Sequence, residues 1–124
     1  MDRPDEAGFD WAYERVLRNW AQMRAMASQL ADLNVPSVFD CGLTRVEERK
    51  IIVDWAEAQG LACRLHLLDV PSDIRWQRVQ NRNREQAETY QFHVDRGMFD
   101  FIEGLWEAPI HDELRRMPLT VIRD

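Results

Sequence analysis

Across residues 38–70 the hydrophobic spacing changes twice, from a short apolar run to a three-to-four-residue repeat and back, and nothing else in the chain constrains the fold as much. Val38-Phe39 closes on Asp40-Cys41-Gly42, the pattern of a buried strand that delivers a carboxylate to its C-terminal end. Thr44-Arg45-Val46-Glu47 has the spacing of a capping box, with Thr44 as the cap, and opens a helix expected to run to Gln59 and stop at Gly60. Residues 61–70 read as a second strand, in which Cys63, Leu65 and Leu67 alternate with Ala62, His66 and Leu68, so both faces are expected to be covered. Strand, crossover helix and strand is the unit from which a parallel sheet is built.

The flanking sequence extends the same alternation. Upstream, Tyr13, Val16, Leu17, Trp20, Met23, Ala27 and Leu30 recur at helical spacing over residues 9–31, with Asn34 and Pro36 as the stop. Downstream, Ser72 is the expected cap of a helix carrying Arg75, Arg78 and Arg82. After a polar stretch over residues 86–91, Asp95 caps another with Met98, Phe99, Ile102 and Leu105. Residues 119–122 form a last strand. The expectation is one α/β domain over residues 1–124: 45% hydrophobic content and 10% aromatics suffice for one core, and the length leaves no room for a second domain.

Charge excludes some classes of partner. Acidic residues outnumber basic ones 22 to 16, for a net charge of −6, which disfavours nucleic acid and anionic membrane as principal partners. Two cysteines, no apolar run of about 20 residues and no signal-like start imply a reducing cytoplasm.

In open parallel sheets ligands bind beyond the carboxyl ends of the strands, which singles out Asp40 with Cys41-Gly42-Leu43, and Asp69 second. Asp40 has the chemistry to hold Mg²⁺ or to accept a hydroxyl proton, and equally to cap its own turn before Gly42. Arg75, Arg78 and Arg82 share one helix face, with Arg84 just beyond. Such a row either clamps phosphate oxygens or is a solvated face beside Glu85 and Glu88. Cys63 and His66 are separated by an odd number of strand positions, so they point to opposite faces and make no zinc site. The loop from Asp40 to Thr44 is close to the Asp-x-Asp-x-Thr of haloacid-dehalogenase-like phosphatases, but Gly42 stands where the general acid belongs. Five tryptophans, mostly at helical positions, read as core.

The run Val38-Phe39-Asp40-Cys41-Gly42-Leu43-Thr44-Arg45-Val46-Glu47-Glu48-Arg49 resembles the third-strand region of small bacterial P-loop kinase-like proteins of the AAA-type ATP-binding family, relatives of zeta toxins and chloramphenicol phosphotransferase. Leu65-His66-Leu67-Leu68-Asp69-Val70-Pro71, Trp76-Gln77-Arg78-Val79 and Arg82-Asn83 resemble the next strand and an arginine-bearing lid helix. Leu105-Trp106-Glu107-Ala108-Pro109, within residues 99–113, resembles the C-terminal helix and its turn. The resemblance implies a three-layer P-loop NTPase-like parallel sheet flanked by helices. It implies ATP and Mg²⁺ as cofactors and a small hydroxylated acceptor as substrate. It makes Asp40 the catalytic, metal-side acid, sets Arg45 and Arg49 on the substrate side, and lets Arg78 and Arg82 reach ATP phosphates.

The defining motif of that class, G-x-x-x-x-G-K-[ST], does not occur: the one lysine is Lys50, followed by Ile51. The resemblance therefore implies a C-terminal portion, truncated at the N-terminus, with the P-loop strand absent. A sheet without a central strand leaves inner edges unpaired, a cost comparable to a whole net stability of ~5–15 kcal/mol. The expectation is that a longer polypeptide supplies the strand, that the remaining strands close up, or that another chain pairs with the edge. The first makes this an ATP-binding kinase-like protein that is inactive without its Walker A segment. The alternative is a non-catalytic domain acting as a homodimeric or partner-binding module through exposed sheet edges.

Overall fold

A computed structural model describes residues 8–86 and 93–123, which fall into two compact units, Met1–Cys41 and Gly42–Asp124. The first unit is built on α1, Phe9–Asp32, the helix read from the periodicity. Trp20 and Ala27, two turns apart on one face, are its buried residues. The stop falls where Asn34 adopts a left-handed conformation (φ 60°), its N–H donating to Ala31 O at 2.9 Å while Val35 N–H donates to Leu30 O at 2.9 Å.

The strand expected at Val38-Phe39-Asp40 does not form. Residues 35–40 hold neither helix nor strand, Val38 is 93% exposed and Asp40 is exposed. Two apolar residues behind Pro36, which has no N–H to give a ladder, are too little to define a strand without a pairing neighbour.

In the second unit α2 spans Val46–Ala58, with Ile52, Val53 and Ala56 as its inward stripe. The cap lies one residue later than the sequence spacing suggested: Arg45 occupies it, and Glu48 rather than Glu47 reaches back. Glu48 Oε1 accepts from Arg45 N at 3.0 Å and from Thr44 Oγ1 at 3.1 Å. An arginine side chain has no acceptor, so only the glutamate half of a capping box can form. Gly60, at φ 71°, ends the helix as expected.

β1, Leu65–Asp69, pairs in parallel with β2, Leu119–Arg123, Leu65 lying opposite Leu119 and Asp69 opposite Arg123. Among the described residues the sheet has these two strands. The chain is thus helix-rich α/β, with a shorter first strand than residues 61–70 implied. The expected burial of both faces is not observed: Leu65 and Leu67 are half-buried while Leu68 is 68% exposed.

Between the strands lie α3 (Ser72–Glu85), α4 (Arg96–Gly104) and α5 (His111–Arg116). Ser72 is the first residue of α3 rather than its cap, which falls on Pro71. Part of the polar stretch read over residues 86–91 lies outside the described residues. The cap at Asp95 is as expected, its carboxylate accepting from Met98 N at 2.8 Å. Asp95→Ala should therefore cost about 1 kcal/mol in a urea titration, as loss of a helix N-cap does. Trp76 of α3 meets Phe99 of α4 with ring centroids 5.2 Å apart. Arg75 forks onto Glu103, and Asn83 exchanges two hydrogen bonds with the Val94 backbone, at 2.6 and 3.0 Å. α3 and α4 are thereby fastened at three levels into a helical hairpin. The sequence reading missed α5, whose first turn carries a glutamate, Glu113, that accepts from Ile110 N at 3.0 Å.

Candidate functional site

The corner leading into α2 is held from behind by one arginine. Arg49, in the first turn of α2, is 2% exposed, and Glu113 of α5 is 6% exposed. Arg49 Nε donates to Glu113 Oε1 at 2.6 Å and Nη2 to Oε2 at 3.3 Å, a bidentate pair. Nη1 donates to Leu43 O and Nη2 to Glu107 O, both at 2.7 Å, and the guanidinium lies 5.4 Å from the Trp106 ring centroid. Two further bonds tie the same segments: Glu107 N donates to Thr44 O at 2.7 Å, and Val46 N to Glu107 Oε1 at 3.1 Å. Residues 43–46 are thus fixed to residues 106–113, and Arg45 sits half-buried at the fixed corner.

Burial pushes the Glu113 carboxyl up, but hydrogen bonds from Arg49 and Ile110 N, with the Arg49 charge, outweigh it and hold the group below the ordinary glutamate value. The glutamate is therefore ionised at neutral pH, as a buried partner for a permanently charged guanidinium must be.

The other expected site residues are distributed as follows. Asp40 belongs to the first unit, and Arg45, Arg49, Arg78 and Arg82 belong to the second. Arg78 is exposed and Arg82 half-buried, one turn apart on α3. Arg75, the third member of that row, is committed to Glu103 and to Val70 O, at 2.9 Å from its Nε, so it is a staple of the hairpin. Arg49, expected on the substrate side, is instead enclosed and bonded to protein groups. Its partners Glu107 and Glu113 were not singled out in the sequence, because separations of 58 and 64 residues leave no local spacing to read.

Among the described residues no group of three His, Cys, Asp or Glu side chains is placed to hold a metal ion. A single carboxylate holds Mg²⁺ only when other oxygens, such as those of phosphates and water, complete its shell. A cavity of about 250 Å³ lies where residues 61–64 lead into β1 and Pro118 leads into β2, bordered by Val53, Ala56, Cys63 and Arg116. It is at the amino ends of the strands, opposite to where open parallel sheets take their ligands. Arg116 there binds Glu57 at 2.8 Å and Asp54 at 2.6 Å; hydrogen bonds from Lys50 first and Arg116 second hold the Asp54 carboxyl below its ordinary value, and the bond from Arg116 does the same for Glu57. Burial pushes the Cys63 thiol up, so Cys63 should react with iodoacetamide at neutral pH more slowly in the folded chain than in urea, which mass spectrometry of the alkylated peptide would read.

A protein-family model described as AAA domain matches residues 3–102. The chain belongs to that family. The AAA-domain match takes in Asp40, Arg45, Arg49, Arg78 and Arg82, while Glu107 and Glu113 lie beyond it. It supports the AAA-type P-loop resemblance carried by those same residues. No curated protein and no solved structure matches this AAA-domain chain. No helix among its described residues is long and apolar enough to cross a membrane.

Proposed function

We propose that this chain serves a nucleotide-binding, kinase-like P-loop function, the transfer of the γ-phosphoryl group of ATP to a small hydroxylated acceptor. The observation that carries the reading is the family match over residues 3–102, which spans every residue the resemblance puts to work. Asp40 takes the acceptor's proton, and its carboxylate would be the group of this chain to hold Mg²⁺, which would supply positive charge to the transferring phosphate. As the acceptor oxygen bonds to the γ-phosphorus, the bond from phosphorus to the bridging oxygen breaks and ADP leaves with that electron pair.

Arg78 and Arg82 supply charge to the phosphate oxygens, and Arg45 meets the acceptor side. We assign Arg49 to holding the corner on which Arg45 sits, since its own guanidinium is bonded to Glu113, Leu43 and Glu107. The 124 residues contain no G-x-x-x-x-G-K-[ST], so ATP-dependent transfer requires a polypeptide that also carries that loop.

In such a polypeptide, Arg78→Ala with Arg82→Ala should weaken Mg-ATP binding by about 100-fold or more, because hydrogen bonds to charged groups are each worth ~1.5–3 kcal/mol. Titration calorimetry reads this directly. Unchanged affinity would remove α3 from the nucleotide site.

A further inference from the structure

The cavity of about 250 Å³ is formed wholly by residues of the second unit, where the C-terminal half of α2 meets the leads into β1 and β2. Its apolar lining comes from Val53, Ala56, Leu61, Cys63 and Pro118, of which Val53 and Ala56 are buried. Three charged side chains also line it: Glu57, Arg64 and Arg116. Glu57 and Arg116 answer each other, Arg116 Nε donating to Glu57 Oε1 at 2.8 Å while its Nη2 donates to Asp54 Oδ1 at 2.6 Å. Arg64 has no carboxylate partner among the described residues. Its Nη1 lies 3.5 Å from Thr120 Oγ1, at the limit of a hydrogen bond and to a neutral group. The carbonyls at the end of α2 are engaged as well, Ala56 O accepting from Leu61 N at 2.8 Å and Glu57 O from Gly60 N at 3.0 Å. In a chain of net charge −6, this lining therefore holds two cations against one anion, and the surplus sits on Arg64.

We propose that this cavity binds a small organic monoanion, with an apolar body of one ring or a short chain inside and its carboxylate paired to Arg64. Volume sets the size of the body. An apolar cavity of about 150 Å³ holds benzene and drug-sized ligands take ~300 Å³ or more, so 250 Å³ admits a single ring with a few further carbons. Burial sets the orientation: Val53 and Ala56 are enclosed while Arg64 is exposed, so the ligand enters apolar end first and keeps its charge at the mouth. Charge sets the sign, because an ammonium at that mouth would meet two guanidinium groups and a glutamate that Arg116 already holds. The inference does not rest on nucleotide handling, since the cavity lies at the amino ends of the strands and contains none of the residues assigned to phosphoryl transfer.

Hydrocinnamate is the probe, a phenyl ring carrying a short carboxylate arm, and hydrocinnamyl alcohol is its uncharged counterpart. Titrated into the full chain and followed by amide NMR, the acid should bind with a Kd of about 0.1–1 mM, as befits a ligand of this size, and shift Val53, Ala56 and residues 61–64. The alcohol should bind about tenfold more weakly. Arg64→Ala should weaken the acid by about the same factor and leave the alcohol unchanged, since it removes only the charged hydrogen bond. Arg64 is exposed, so the fold should survive its loss, as circular dichroism would confirm. Saturating acid should slow the alkylation of Cys63 by iodoacetamide, because the ligand covers the thiol. Ala62→Phe, an exposed lining position, should fill the cavity and abolish binding of both probes. Absence of acid binding at millimolar concentration overturns the inference. So does equal affinity for acid and alcohol, or binding that is indifferent to both Arg64→Ala and Ala62→Phe.

Discussion

Glu113→Ala is expected to destabilise the second unit by about 3–5 kcal/mol, the cost of leaving one member of a buried ion pair without its partner. The stranded group is Arg49, 2% exposed and unable to neutralise itself by losing its proton. Its remaining bonds to Leu43 O and Glu107 O are to neutral carbonyls and do not replace the lost charge. Set against a typical total of ~5–15 kcal/mol, this is enough to populate the unfolded form visibly. The informative control is Arg49→Met with Glu113→Leu, which removes both charges and keeps apolar volume. It should cost far less than the single change, since the desolvation of two ions disappears with their attraction.

The same pair sets a pH dependence. Because the Glu113 carboxyl is held below its ordinary value in the folded chain, the stabilisation is complete above the unfolded-state value near 4.3. It is lost as pH falls through the folded-state value beneath it. Glu113→Gln should flatten that part of the acid unfolding curve, followed by tryptophan fluorescence, and a curve that keeps its shape would show that the pair contributes no linkage.

Phe99→Ala is the second large effect, expected at about 3–5 kcal/mol for removing a buried aromatic side chain. Phe99 is the buried residue of α4. It meets the Trp76 ring, and the Arg96 guanidinium lies 5.0 Å from the Trp76 centroid and 5.6 Å from that of Phe99. Removing the ring leaves the α3–α4 hairpin with its polar fastenings, Arg75 to Glu103 and Asn83 to Val94, both only half-buried. Hydrogen exchange should therefore accelerate first in α3 and α4, while amides near Ile52 and Val53 in α2 keep their protection. Uniform loss of protection would mean that the hairpin and α2 unfold as one unit.

What could be read from the sequence, and what could not, follows from range. Apolar periodicity located α1, while cap, stop and short spacing signals located α2, α3 and α4, the stop at Gly60 and the cap at Asp95 among them, since each depends on neighbours within a turn or two. The strand expected at Val38-Phe39-Asp40 failed because a strand is defined by its partner, and two apolar residues do not supply one. At the α2 cap, Thr44 with Glu47 and Arg45 with Glu48 offer the same spacing, and only the fold selects the second. The role of Arg49 was hidden for a related reason: an arginine near a presumed substrate loop and an arginine bridging to α5 look identical until Glu113 is brought beside it. The five expected site residues lie within the AAA-domain match, and the structure adds which arginine holds the corner.

The central claim is nucleotide binding by a kinase-like P-loop protein, and its most direct test is a Mg-ATP titration of the polypeptide as the source cell makes it. The account predicts a dissociation constant in the range of about 1 μM to 1 mM where enzymes commonly hold their substrates. A native polypeptide that binds no Mg-ATP at millimolar concentration would contradict it.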